Sequence, residues 1–427
     1  MNDKNTIQQH LSTDHTEPVR DPLWSHIYLP RSLVRVLDTP PVQQLHRIRQ
    51  LGPSYLVYPG ATHTRLNHSL GVFHVAKRMI VRLLQIPESP HLTLEGVKAF
   101  LAAALLHDVG HFPYTHSFKS LPLAEHEHLT GRIVQEGELA RILKDEYGVD
   151  PGWVAQIVDT SIERKERDEI TLYRNILSGS LDPDKLDYLN RDAYFCGVPY
   201  GIQDTDYALS RIVPDGYSGI GLNYAGLSAM ENILFSKYLM YRAVYWHRTV
   251  RAATAMIKTA VYMGLEEGVV RPEELYGLDD EMFLTDIGSR PFPPFSLIRR
   301  VGRRDLLKPV VDLPFVPERH DHLSRMESRR SIEKEIAREL SRKSSPPVEP
   351  FEVILDIPDP ISFESHAPVF QEGRRFSFSE LSVFTPAVVE RFTTTLRRIR
   401  LFVPPRATEL LTDPVSTVEE HLAHGRP

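Results

Sequence analysis

Apolar residues recur at helical spacing through much of the first two thirds of the chain. Between residues 72 and 84, and again between 97 and 105, they fall three and four positions apart, which is typical of helices with one buried face. A long helical region is also predicted from about Leu227 to Leu265. In "LDPDKLDYLNRD", Asp182 suits the cap and Pro183 the first position of another helix. No alternation of strands and helices interrupts this part, so a parallel-sheet fold is not expected.

The pattern changes after Gly268. The stretches "PFPPF" and "KSSPPVEP" are typical of loops, while "FEVILDI" and "IRLFV" predict short strands. Between the two loops, "RMESRRSIEKEIARELSRK" predicts a charged, exposed helix. We therefore predict a mostly α protein: a flexible tail over residues 1–19, a helical core over 20–268, a smaller α+β region over 269–405 and a second tail over 406–427.

Composition narrows the class of protein. The chain has 427 residues, 41% hydrophobic and 25% charged, as in ordinary globular proteins. Its net charge of -6 argues against broad coating of nucleic acid, although "RRVGRRDLLK" leaves a local basic patch open. No secretory leader or membrane-spanning run is visible, and the single cysteine, Cys196, excludes an intrachain disulfide. We expect a cytoplasmic protein.

Candidate chemistry lies in "LLHDVGHFPYTH", which follows an apolar helix. His107 and Asp108 are adjacent, so both can reach one ion only where the helix ends, since neighbours point about 100° apart. Imidazole and carboxylate together suit Mn, Fe, Co, Ni or Zn, and suit Mg less well. The alternative is a buried histidine and a terminal aspartate with structural roles only.

Two other segments add to this pair. His68 stands in "THTRLNHSLG", and Asp184 stands in the first turn of the helix that Asp182 caps. Tyr188 and Asp192 follow Asp184 at i+4 and i+8, and so share its helix face. Such a face is either functional or simply solvated.

The ordered set His68, His107, Asp108 and Asp184 is the H…HD…D pattern of the HD superfamily of metal-dependent phosphohydrolases. Four stretches of the chain resemble, in order and spacing, the dNTP triphosphohydrolase branch of this superfamily. They are the segment from "DPLWSHIYLP" to "HRIRQLG", then "YPGATHTRLNHSLGV", "LLHDVGHFPYTH" and "DPDKLDYLNRD". This branch includes the sterile-alpha-motif/HD-domain dNTPases and bacterial dGTPase-like enzymes. The resemblance covers roughly residues 20 to 265, and the C-terminal region more loosely.

The resemblance implies roles for individual residues. His68, His107, Asp108 and Asp184 would bind the catalytic metal, and Arg65 and Lys185 would contact phosphate. Three further histidines would transfer protons or hold the α-phosphate: His111, His116 and His126. The implied reaction is attack by metal-activated water on the α-phosphorus of a dNTP, which releases nucleoside and triphosphate.

The resemblance also implies a sugar pocket. Gln50 would contact the 3'-hydroxyl, and Leu51 would crowd the 2' position and so select deoxyribose; core packing is the alternative for Leu51. Tyr188, Asp192 and Tyr245 match other residues of this pocket.

At two of the positions that match the catalytic site, this chain departs from the family. Lys237 replaces a phosphate-contacting arginine, which keeps the charge and loses the bidentate fork. Lys119 replaces an acid that orients the histidine nearby, so either Glu125 or Glu127 substitutes, or His116 is a weaker base.

Regulation by dGTP or GTP is implied by a third group of matches. Asp38 and Gln43 match base-reading positions of an allosteric site, His46 stands where an arginine is expected, and Arg304 matches another part. An ordinary subunit interface is the alternative. The resemblance implies a homo-oligomer, either a dimer or a tetramer.

Two other functions stay open on the sequence. One is an HD phosphodiesterase or nuclease that acts on another phosphoester. The other is a non-catalytic sensor that binds nucleotides or single-stranded nucleic acid.

Overall fold

The computed structural model describes residues 3–163, 168–363, 366–416 and 418–419. Of the described residues, 59% are helical, which confirms the predicted mostly α class. The first helices are α1 Asp3–Gln9, α2 Arg31–Leu37, α3 Pro40–Gln44, α4 Arg65–Gln85, α5 Leu94–Leu106, α6 His126–Ile133, α7 Gly137–Arg141, α8 Pro151–Val158, α9 Asp168–Leu177 and α10 Pro183–Cys196. The later helices are α11 Thr205–Ser210, α12 Leu227–Met240, α13 Arg248–Glu266, α14 Asp280–Met282, α15 Ser296–Gly302, α16 Pro317–His320, α17 Met326–Ser341, α18 Phe378–Leu381 and α19 Pro386–Leu396. The strands are β1 His15–Asp21, β2 Ser25–Pro30, β3 Ile212–Pro214, β4 Ile220–Asn223, β5 Lys308–Pro314, β6 Ile354–Asp356, β7 Pro368–Gln371, β8 Arg374–Ser377 and β9 Arg398–Val403.

Helices α4, α5 and α10 form the part of the core that carries the candidate residues. Helix α5 is apolar on nearly all sides and almost wholly buried, as expected of a helix enclosed by others. Helix α4 packs on both α5 and α10. Local capping decides where each begins: Thr64 and Asn67 cap α4 reciprocally, and Asp182 caps α10 as predicted. The candidate residues therefore sit near the ends of helices that the core holds rigidly.

A flexible tail is predicted over residues 1–19, but its described part, residues 3–19, packs on the core, and residues 1–2 lie outside the described residues. Helix α1 contributes Ile7 to the main hydrophobic cluster, and Leu11 follows it there. Strand β1 then pairs with β2 in an antiparallel hairpin. The few apolar residues of this segment suffice to dock it, because they meet a large apolar surface that the sequence pattern does not reveal.

A small sheet joins the two regions that were predicted to divide at residue 268. Strand β4 pairs in parallel with β7, with Leu222 opposite Val369, and the four strands follow the order β3-β4-β7-β8. The other sheet has the order β5-β9-β6 and includes both strands predicted from "FEVILDI" and "IRLFV". The exact domain boundary stays a prediction.

Two predictions for the C-terminal part are wrong. Helix α17 is a helix as predicted but is not exposed, because one face buries Ile332, Ile336 and Leu340, and Glu333 is buried with them. The predicted tail after residue 405 includes Leu411 and Val418, which pack into the same cluster; residues 417 and 420–427 of that tail lie outside the described residues. Among the described residues, no helix combines the length and apolarity that a bilayer crossing requires.

Docking of the N-terminal segment can be tested at Ile7, which is fully buried. The substitution Ile7→Ala should destabilise the fold by about 2–5 kcal/mol, since it removes buried methyl groups and leaves a cavity. The thermal midpoint should fall measurably in calorimetry. Gln8→Ala, at an exposed neighbour, is the matched control. Equal midpoints for the two variants would mean that this segment does not pack as described.

Candidate functional site

Three helix ends bring the predicted metal ligands together. His68 lies in the first turn of α4, Asp184 in the first turn of α10, and His107 directly after α5. The His68 Nε2 to Asp184 Oδ1 distance is 2.8 Å, and the His107 Nε2 to Asp184 Oδ1 distance is 3.9 Å. One ligand atom from each of the three residues lies within 4.8 Å of the others. This group could hold a divalent metal.

Asp108 borders this group. Its Oδ1 lies 3.4 Å from His107 Nε2 and 3.1 Å from His111 Nδ1, while its Oδ2 accepts a 2.7 Å hydrogen bond from Arg65. Burial raises the pKa of Asp108, but electrostatic interactions with the neighbouring His111, His107 and Arg65 outweigh burial and hold the pKa well below its usual value. Asp108 is therefore a carboxylate, as a ligand must be.

His107 presents a free lone pair to the group. Its Nδ1 lies 3.0 Å from the Ala104 carbonyl oxygen, so Nδ1 carries the proton and Nε2 is the basic nitrogen. Within the described chain, this buried Nε2 makes no hydrogen bond. An imidazole that is oriented through one nitrogen and unsatisfied at the other suits a metal ligand.

His68 is held by a carboxylate that the sequence patterns did not single out. Its Nδ1 lies 2.8 Å from Asp187 Oδ2. Burial lowers the pKa of His68, but hydrogen bonds with Asp184 and Asp187 outweigh it and raise the pKa to about 10. Metal binding at Nε2 would replace the proton there and keep the Asp187 hydrogen bond.

Asp187 is in turn enclosed by donors. Arg191 donates from Nε and Nη2 over 2.8 and 3.0 Å, and the indole of Trp24 donates over 2.5 Å. Gly71 on α4 passes so close that an added Cβ would lie 1.9 Å from Asp187 Oδ1. The orienting carboxylate therefore has one fixed position between α4 and α10.

A trio of histidines borders Asp108 on its other side. His111, His116 and His126 each offer a ligand nitrogen within 4.8 Å of the others, and the His111 and His116 Nε2 atoms are 3.2 Å apart. His116 is exposed as a residue, yet desolvation of the ring is the largest cause that lowers its pKa, as it is for His111 and His126. All three imidazoles are therefore neutral, and each has a lone pair that can accept a hydrogen bond.

Lys119 acts on this trio as its charge predicts. Desolvation is the largest cause that lowers the pKa of His116, followed by electrostatic interactions with Arg65 and His126, and the positive charge of Lys119 lowers it further. Glu127 Oε2 lies 3.0 Å from Nδ1 of His126, whereas Glu125 is exposed. The described contacts therefore place the acid beside His126 and not beside His116.

Asp192 is the centre of a second buried group. Its Oδ1 lies 2.9 Å from His63 Nε2, and its Oδ2 accepts a 2.6 Å hydrogen bond from the Tyr245 hydroxyl. The interpretation of its helix face as solvated is wrong for Asp192, which is only 2% exposed. Tyr188 is half-buried against the main cluster, as is Leu51.

The two predicted phosphate-contacting lysines are already engaged by the protein. Lys185 donates to the Gly179 carbonyl and to Asp182 Oδ2. Lys237 donates to the Ser362 carbonyl over 2.7 Å, with its amine 5.5 Å from the centre of the Phe363 ring. A phosphate that binds either lysine would share its ammonium group with these contacts.

Two of the four residues of the predicted regulatory site donate hydrogen bonds to carbonyl oxygens of the main chain. Gln43 donates to the Leu37 carbonyl and Arg304 to the Leu56 carbonyl. Asp38 and His46 are exposed.

Sequence reasoning missed Asp187, Arg191, Trp24 and His63. Asp187 and Arg191 stand at i+3 and i+7 from Asp184 within a motif already quoted. The i,i+4 spacing of this acid and base was the available signal. Nothing in the local sequence links Trp24 or His63 to the site.

Comparison with known proteins agrees with this geometry. The HD domain family matches residues 65–191, and the HD associated region matches residues 216–418. The chain is 33% identical over 240 residues to an uncharacterized protein, YwfO, of Bacillus subtilis, across 56% of this chain and 53% of that one. It is 30% identical over 220 residues to the human deoxynucleoside triphosphate triphosphohydrolase SAMHD1, across 45% of this chain and 35% of that one. The matches thus span about half or less of these two relatives.

A solved structure has the same fold over nearly the whole chain. The crystal structure of a hypothetical protein from Aquifex aeolicus superposes with a TM-score of 0.70 at 26% identity, and covers 96% of this chain and 100% of that one. The resemblance drawn from the motifs is confirmed. The chain belongs to the HD-domain superfamily, where deoxynucleoside triphosphate triphosphohydrolases are among its relatives.

Proposed function

We propose that this protein is a metal-dependent deoxynucleoside triphosphate triphosphohydrolase, which converts a dNTP to deoxynucleoside and triphosphate. One observation carries the proposal. Gln50 Oε1, Arg65 Nε and His107 Nε2 are buried atoms without a hydrogen bond in the described chain. Buried polar atoms are normally satisfied, so a ligand with both polar and anionic groups would complete this site.

These three atoms belong to segments that touch one another. The backbone N–H of Gln50 donates to the His63 carbonyl, and the backbone N–H of Arg65 donates to the Ile48 carbonyl. The segment that holds Gln50 therefore runs beside the start of α4. Arg65 also contacts Asp108, the neighbour of His107. A single nucleotide could thus meet an amide, a guanidinium and a metal ligand together.

The metal would be held by His68, His107, Asp108 and Asp184. We expect this metal to be Mn, Fe, Co, Ni or Zn, with Mg less favoured. When bound, a metal here would lower the pKa of a water ligand and offset charge on the phosphate. Arg65 would contact phosphate oxygens through its unsatisfied Nε. Lys185 and Lys237 would contact phosphate oxygens through their ammonium groups. The neutral trio His111, His116 and His126 would accept or return protons.

The sugar would lie between Gln50, Leu51 and the Asp192 group. The Asp192 carboxylate and the Tyr245 hydroxyl already form a rigid pair, and Tyr188 would complete the wall. The same proposal includes activation by a guanine nucleotide and assembly into a dimer or tetramer. The activating nucleotide would bind at Asp38, Gln43, His46 and Arg304.

The role of Asp187 can be separated from that of the ligands. Asp187→Asn should lower the stability of the fold, because the buried Arg191 loses a countercharge, and should weaken Mn²⁺ binding of the folded protein by about 10- to 100-fold, as is typical when the partner of a ligating histidine is changed. Isothermal titration calorimetry of the metal-free protein would measure this. Asp215→Asn, at an acid that pairs with Arg375 far along the chain, should bind Mn²⁺ normally. Unchanged affinity in Asp187→Asn would contradict the orienting role.

The reaction itself is tested with a panel of nucleotides. With Mn²⁺, and with dGTP or GTP present and absent, the protein should release deoxynucleoside and triphosphate in equal amounts, as resolved by chromatography. Chelation of the metal, or His107→Ala, should abolish turnover because the metal ligand set is broken. Cleavage of a phosphodiester with no dNTP turnover would instead support the phosphodiesterase alternative. Nucleotide binding without any hydrolysis would support a sensor.

Selection of deoxyribose is expected to depend on Leu51. Leu51→Ala should raise kcat/KM for a ribonucleotide relative to its deoxy counterpart by about tenfold, because it opens space for the 2'-hydroxyl. The conservative Leu51→Met variant serves as the volume-matched control. If the ratio is the same in all three proteins, Leu51 is a core residue and does not line the sugar pocket.

A further inference from the structure

A cavity of about 370 Å³ lies on the opposite part of α4 from the candidate site. We call it the α4 groove. Its floor is α4 from His74 to Gln85, and its walls are β2 and α11. Lys77 comes nine residues after His68, a rise of about 13 Å along the helix. None of the lining residues belongs to the proposed active site or to the predicted regulatory set.

The α4 groove carries more positive than negative charge. Three cationic side chains line it, and Asp206 is the one carboxylate among its lining residues. The cations are Lys77, Arg78 and Arg82. Asp206 pairs with Arg78, so the other two cations have no carboxylate partner in the described part of the chain. A surface cavity with this imbalance favours an anionic ligand.

Arg82 is incompletely satisfied, and Lys77 is half-buried. Arg82 donates from Nη2 to the Ser210 carbonyl over 3.0 Å, but its Nε is buried and makes no hydrogen bond among the described residues. Burial lowers the pKa of Lys77 to about 8. Both groups would gain from an oxyanion, which supplies charge and hydrogen-bond acceptors together.

The rim of the α4 groove offers an aromatic surface. The Tyr28 side chain is 45% exposed, although it is large and apolar. His26 is beside it, with ring centres 6.1 Å apart. Exposed rings next to a basic cavity suit a ligand that joins a flat ring to phosphate.

We propose that the α4 groove binds a nucleoside phosphate, with its phosphates on Lys77, Arg78 and Arg82 and its base against Tyr28. The volume lies within the range of small-molecule sites. The proposal does not depend on the reaction at the metal site and can fail or hold independently of it.

Trp24 gives a local spectroscopic signal for this site. Its ring stacks on His74, a lining residue, with centres 5.4 Å apart. Its indole nitrogen donates to Asp187, which holds His68. A ligand that displaces His74 therefore alters the surroundings of Trp24, and through Asp187 it touches a residue of the proposed metal site.

The test measures ATP binding to the 427-residue chain by equilibrium dialysis in EDTA, so that the metal site contributes least. Wild-type protein should bind ATP saturably. Lys77→Gln and Arg82→Gln should each weaken binding by about tenfold or more, as expected for loss of a hydrogen bond to a charged group. Lys98→Gln is the matched control, because Lys98 is a partly buried lysine on α5 that packs over Tyr147 outside the groove.

Three outcomes would overturn the proposal. The first is no saturable binding of ATP by wild-type protein at millimolar concentration. The second is binding that is lost in Arg65→Gln but kept in both groove variants, since such binding belongs to the candidate active site. The third is inorganic triphosphate bound as tightly as ATP, which would remove the nucleoside from the assignment. ATP-induced change in tryptophan emission that is lost in Lys77→Gln would further support the groove.

Discussion

The buried carboxylate of Asp187 is the contact on which the arrangement of the candidate site depends. It accepts hydrogen bonds from the indole of Trp24 and the guanidinium of Arg191, and it holds Nδ1 of His68. Asp187, Arg191 and His68 are almost wholly buried. Removing one partner from such a buried network leaves an uncompensated charge, at a cost of about 3–5 kcal/mol.

This network also explains why the N-terminal segment packs. Asp21, at the end of β1, accepts from Arg191 over 2.8 Å and from the amides of Leu23 and Trp24. The hairpin is thereby tied to α10 through charge and to α4 through apolar contact. Gly71 allows the close approach of α4 that brings His68 to Asp187. Fold and site thus share the same few contacts.

Local sequence predicted the helices well because their signals are local. The cap at Asp182, the apolar face of α4 and the wholly apolar α5 depend on residues within a few turns of one another. The tails were mispredicted for the opposite reason. Ile7, Leu411 and Val418 stand in stretches rich in polar residues, and the distant surfaces that they meet make them core residues.

The sequence by itself determined which chemistry is present: histidines and aspartates in the order H…HD…D, an arginine three residues before the first of them, and their family. Only the tertiary structure decided which partners these groups contact. It selected Asp187 as the partner of His68, placed Glu127 beside His126 and not His116, and engaged Lys185 and Lys237 with carbonyl oxygens. The contacts of His68 with Asp187 and of Lys237 with Ser362 join residues that are 119 and 125 positions apart. Hydrogen bonds and burial act over a few ångströms, so they are decided only when the segments that hold these residues pack.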